Sequence, residues 1–107
     1  MHLRPGDFVQ LRDGEGHLFG RITVEEGREP WLFGHFEAGP DYPLVASLFA
    51  EFEEAVNGGM LGIAEKVGDT LNGRGFRLWS TEGAESVPVQ DVQIMNGHDL
   101  ACIPVAR

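Results

Sequence analysis

The hydrophobic period changes twice along this chain, and that change limits the folds open to it. From Phe8 to Phe36 the apolar residues fall in short runs with strand character, and from Phe76 to Val105 they do so again. Between these blocks Leu44, Val45, Leu48, Phe49, Phe52 and Val56 recur at helical spacing, the stripe of an amphipathic helix. Strands grouped apart from helices, rather than alternating with them, point to an α+β fold.

In the first block, Phe8 to Leu11 and Leu18 to Val24 flank the turn residues Asp13-Gly14-Glu15-Gly16 and predict a hairpin. Leu18, Ile22 and Val24 share one face of the second run, with Arg21 and Thr23 on the other. Trp31 to Phe36 is a third strand, apolar on both faces, as for a central strand or one covered on its second side by a helix. Gly34 inside it predicts a bulge or a close packing neighbour.

Asp41 is placed to cap the helix, with Pro43 in its first turn and Asn57-Gly58-Gly59 as its stop. Met60, Ile63, Ala64, Val67 and Leu71 predict a second, shorter helix. Gly62 and Gly68 weaken it by about 1 kcal/mol each, so an extended loop is the alternative. Phe76 to Trp79, Val87 to Met95 and His98 to Val105 complete the strands, with Asn96-Gly97 as a hairpin turn. Pro88 donates no ladder hydrogen bond and belongs at a strand start or an edge. The expectation is a single domain over residues 1–107: a mainly antiparallel sheet of five to six strands, with one long and one short helix inserted between the third and fourth. The long helix is expected across one face of that sheet.

Charge narrows the partners. Asp and Glu number 17 against 8 Lys and Arg, a net charge of −9. Nucleic acid and anionic membrane surfaces both call for clustered cations, so neither is expected; the charge permits attraction to a basic protein or cationic ligand, or else simply keeps a small domain soluble. The segment Met1 to Asp7 lacks the apolar core of a signal peptide, and no apolar run is long enough to span a bilayer, which predicts a cytoplasmic protein.

Candidate chemistry is sparse. Cys102 is the only cysteine and sits in an apolar run, where it reads as a buried strand residue rather than a nucleophile. No two of His2, His17, His35 and His98 have the short spacing of a zinc pair, and no cofactor or metal is expected. The glycines match neither phosphate-binding fingerprint, and Ser47, Ser80 and Ser86 lack a nucleophile's context. An aromatic set (Trp31, Phe33, Phe36, Tyr42 and Trp79) either fills the core or lines a pocket. The candidate ligand-binding residues are Trp31, Phe33, His35, Tyr42 and Trp79. Glu25 and Glu26 on a loop, with Glu51, Glu53 and Glu54 on the helix, are the candidate partner-binding residues, or simply solvated carboxylates.

The segment Pro30-Trp31-Leu32-Phe33-Gly34-His35-Phe36 resembles one in small, acidic, uncharacterised bacterial α+β proteins. The Leu48-Phe49 pair, Gly75-Phe76-Arg77-Leu78, Asp91-Val92-Gln93-Ile94 and the following Asn-Gly extend the resemblance over roughly residues 17–105. It implies an accessory or toxin-immunity type of protein and carries no active residues.

Three functions follow as expectations. The first is a non-enzymatic protein-interaction module, an acidic inhibitor or immunity-type protein covering a basic partner. The second is a small-molecule binding domain or minor enzyme with a pocket around Trp31, His35 and Trp79. The third is a homodimer joined through open edges at the Pro88 and Val105 strands.

Overall fold

A computed structural model describes residues 2–105; of the span read as one domain, Met1, Ala106 and Arg107 lie outside the described residues. The strands are β1 (Phe8–Arg12), β2 (Leu18–Glu25), β3 (Leu32–Ala38), β4 (Arg77–Ser80), β5 (Ser86–Met95) and β6 (Asp99–Pro104). A 3-10 turn at Tyr42–Leu44 leads into helices α1 (Ala46–Asn57) and α2 (Leu61–Asn72). The α+β class and the antiparallel sheet are as expected. The sheet, however, is not open with a helix laid across it. It closes into a barrel in the order β1-β2-β3-β6-β5-β4, because β1 pairs with β2 on one side and with β4 on the other.

Closure overturns the reading of Pro88 and Val105 as open edges. Pro88 faces Arg77 across β4, and the Val105 N–H donates to the Pro88 carbonyl at 2.9 Å. A twisted sheet that meets itself has satisfied its edge groups internally.

Alternation sorts the strands into an inner and an outer face. Val9, Leu11, Ile22, Val24, Phe36, Leu78, Val89, Ile94, Leu100 and Cys102 are buried inside. Gly34 also points inward: a Cβ there would meet the Ile22 side chain and stand 2.9 Å from the Thr23 carbonyl. It is the close neighbour expected of it. The outer face of β3 carries Phe33, His35 and Glu37, all exposed, so no helix covers this strand. Phe19 was not expected in the core. The register shifts between Leu11 and Arg12, Leu11 facing Gly20 and Arg12 facing Leu18, which leaves Phe19 as the extra residue. Its ring is buried edge-on against Phe76 at 5.3 Å, while Leu18 is only half-buried.

The helices close one end of the barrel. Val45, Phe49, Val67 and Leu71 are buried in the same cluster as Phe19, Phe36 and Phe76. Asp41 does not cap a helix; its carboxylate instead accepts the Leu18 N–H at 2.9 Å, so the chain passes through the 3-10 turn before α1 opens at Ala46. α1 ends where Met60 N–H donates to Ala55 and Gly59 N–H to Val56, the paired bonds of a Schellman cap. Gly59 takes φ +71° there, a conformation that suits glycine. α2 is a full helix despite Gly62 and Gly68, because Ala64, Val67 and Leu71 bury its inner face.

Two side chains pin the helices to β5. Asn72 accepts the Asp91 N–H at 2.9 Å and donates to its carboxylate at 3.2 Å. Glu53 accepts the Asn96 N–H at 2.8 Å. Asp91 and Asn96, both at φ 53°, are the non-glycine residues with positive φ among those described.

Candidate functional site

The opposite end of the barrel has no helix over it. There the starts of β1, β3 and β5 meet the ends of β2 and β6 around an open depression of about 1130 Å³. Leu3, Val24, Leu32 and Val87 form its floor, each packed against or within the core. Glu25 ends β2 and Glu26 and Glu29 stand on the loop that follows it, all exposed, with the half-buried Trp31 at the base of that loop. Pro5, Pro30, Pro88 and Pro104 complete much of the rim. Proline has no N–H, so a rim built from it exposes fewer unsatisfied donors and holds a fixed φ. The N-terminal segment is tied in by Gly6 N–H to the Val24 carbonyl at 2.7 Å and Val24 N–H to the Asp7 carbonyl at 2.8 Å.

The residues read from the sequence as one aromatic pocket do not come together. Trp31 lines the depression. His35 and Phe33 point outward from β3. Trp79 lies on the outer face of β4, opposite Gln10 in register, and two strands separate β4 from β3 whichever way round the ring one counts. Tyr42 belongs to the helix-capped end, 5.1 Å from the Phe36 ring and 6.3 Å from Phe49. Burial, and secondarily the charge of Glu53, raises its hydroxyl pKa. Strand alternation put Trp31, Phe33 and His35 on one face; the structure keeps Phe33 and His35 together on the outer face of β3, whereas Trp31 precedes the strand and turns to the depression.

The acidic residues divide in the same way. Glu25 and Glu26 rim the open end, whereas α1, with the exposed Glu51 and Glu54, belongs to the capped one. Glu53 already holds the Asn96 N–H. No single contact surface joins the two groups. Sequence reasoning missed Leu3, Val87 and Pro104 as lining residues, since they gather from distant stretches of the chain and share no motif.

Other polar groups are engaged structurally. Asp13 is buried under the β1–β2 turn, its carboxylate accepting the N–H groups of Glu15 and His17 and lying 2.7 Å from His17 Nδ1. Burial pushes the Asp13 carboxyl up, but the hydrogen bonds from the His17 ring and the two backbone N–H groups outweigh it, and its pKa is lowered. The same hydrogen bond raises the His17 pKa. Burial pushes the Cys102 thiol up to about 12, so it is inert as a nucleophile at neutral pH. Among the described residues no set of three or more His, Cys, Asp or Glu side chains is arranged to hold a metal ion. None of the described helices is long and apolar enough to cross a membrane.

A second exposed apolar surface lies at the turn between the helices, formed by Val56, Met60, Leu61 and Ile63. Comparison with known proteins returned no matching family model, no matching curated protein and no matching solved structure.

Proposed function

We propose that this chain is a non-enzymatic protein-interaction module that receives a basic, partly apolar segment of a partner protein at the open end of its barrel. The observation that carries this reading is the pairing, in one depression, of an apolar floor and Trp31 with the carboxylates of Glu25, Glu26 and Glu29. An apolar floor supplies binding energy through burial, Trp31 offers a face for a Lys or Arg side chain, and the glutamates steer a cation toward it. The net charge of −9 extends that steering over the whole molecule. Covering a basic surface in this way is the work of an acidic inhibitor or immunity-type protein, the class that the sequence resembles, and cytoplasmic residence belongs to the same proposal.

A peptide-display selection against the domain tests it, counter-screened with Trp31→Ala and with the triple variant Glu25→Gln, Glu26→Gln, Glu29→Gln. Enriched peptides should be Lys- or Arg-rich around an apolar residue, and should lose at least about tenfold in affinity against either variant, about 1.4 kcal/mol. Peptides of neutral or acidic composition, or ones that bind the variants unchanged, would reject the reading. Small organic cations that perturb Trp31 where no peptide does would favour the small-molecule alternative, with its pocket moved from His35 and Trp79 to the barrel end.

A further inference from the structure

The fold brings together two histidines that stand far apart in the sequence. His35 lies on the outer face of β3, in register with Asp99 of β6, and His98 ends the Asn96-Gly97 turn just before Asp99. Their ring centroids are 5.7 Å apart, and both residues are exposed. The His98 backbone is held against β3 by the Phe36 N–H, which donates to its carbonyl at 2.7 Å.

We propose that His35 and His98 form a cross-strand binding site for a divalent transition metal of the zinc type. Spacing is the first argument. A zinc ion bound about 2.0–2.1 Å from a ring nitrogen stands roughly 3.2 Å from that ring's centroid, so two imidazoles sharing one ion have centroids about 5–6 Å apart. The observed separation falls in that interval.

The tautomer is the second argument. His98 Nδ1 lies 2.9 Å from the Asn96 carbonyl oxygen. A carbonyl only accepts, so Nδ1 carries the hydrogen and Nε2 of the neutral ring is left with its lone pair free for a metal. This is how an outer hydrogen bond orients a ligating histidine. Charge is the third. Asp99 Oδ1 stands 3.6 Å from His98 Nε2 and adds negative potential where the cation would sit. Glu37, the other carboxylate on this face of β3, is engaged by Arg21 at 2.8 Å and is no ligand.

Two imidazoles leave coordination positions for water, which makes this an open, exchangeable site rather than a closed structural one. It lies on the outer wall of the barrel, apart from the depression at its open end, and stands independently of the reading proposed for that depression. The chemistry expected of a ligand is that of Zn²⁺ or a neighbouring ion that prefers nitrogen donors.

The test is a Zn²⁺ titration into the millimolar range on untagged protein carrying His2→Ala, which removes the terminal competitor, with the histidine ring resonances followed by NMR. Zinc should move the rings of His35 and His98 together, and His35→Gln or His98→Gln should each weaken binding at least about tenfold. Both side chains are exposed, so neither variant threatens the fold, and unchanged backbone spectra would verify that. Unmoved His35 and His98 resonances, a response confined to His17, or unaltered affinity in both variants would overturn the proposal.

Discussion

The two ends of the barrel are built on opposite principles. At the capped end, Phe19, Phe36, Phe49 and Phe76 interlock with Tyr42 at ring separations of 5.1 to 6.3 Å, and Glu53 and Asn72 fasten the helices to β5. At the open end the floor is partly buried aliphatic surface, the rim is proline, and the loop above it is glutamate. Rings packed on rings supply burial and fix geometry. Exposed carboxylates and half-buried apolar groups contribute little to stability but are available to another molecule. The comparison teaches that a small chain can concentrate its packing at one end and leave the other open to solvent.

The largest expected effect tests that division directly. Phe49 is buried to 1% exposure among the helices and strands of the capped end, so Phe49→Ala should cost about 3–5 kcal/mol in urea denaturation. Trp31→Ala, despite removing a larger ring, should cost clearly less, because Trp31 is only half-buried at the open end. Equal losses would mean that the open end bears the fold as well, and the contrast between the ends would collapse.

A smaller effect sharpens the account of how the helices are held. Asn72 makes two hydrogen bonds to Asp91, which sits at φ 53°. Asn72→Ala should cost about 0.5–1.5 kcal/mol, the net range for a hydrogen bond, since both partners are exposed. Replacing Asp91 by Gly as well should return part of it, since glycine adopts positive φ without penalty. The measurement is a double-mutant cycle by chemical denaturation; additive losses would show that Asn72 does not restrain the Asp91 backbone.

What could be read in advance follows from which interactions are local. The part of the α1 stripe formed by Val45, Leu48, Phe49 and Phe52, and the alternation of Ile22 and Val24 with Arg21 and Thr23 in β2, are short-range patterns, and they were legible. Closure depends on β1 meeting β4, with Val9 opposite Ser80, and nothing near either strand announces that pairing. The same distance hid the geometry of the candidate site. Trp31, Glu25 and Glu26 were visible as candidates, but their grouping with Leu3, Val87 and Pro104 exists only once the ring is formed. His35 and His98 fail every spacing rule because their contact crosses from β3 to the turn before β6. Glu53 looked like a solvated carboxylate and Asn72 like a helix stop; both restrain β5, a role no sequence pattern marks.

The smallest effect concerns a polar latch at the capped end, and its sign is set by the protons involved. The Asp13 hydrogen bond raises the His17 pKa above its ordinary 6.5, so folding favours the protonated ring. The stability this adds is complete below 6.5 and is lost as pH rises through the raised value in the folded state. Asp13 behaves oppositely: its pKa lies below the ordinary 3.8, so its contribution is present above 3.8 and disappears as pH falls through the lowered folded value. Both are at full strength between those limits, in mildly acidic solution. His17→Gln should therefore lower the denaturation midpoint most near pH 5, and the gap from the parent should narrow as the buffer is taken through neutral to alkaline pH. A gap of constant size across that range would show that the His17 ring supports the turn as a neutral hydrogen-bond donor. The ionic latch would then be no part of what distinguishes the capped end from the open one.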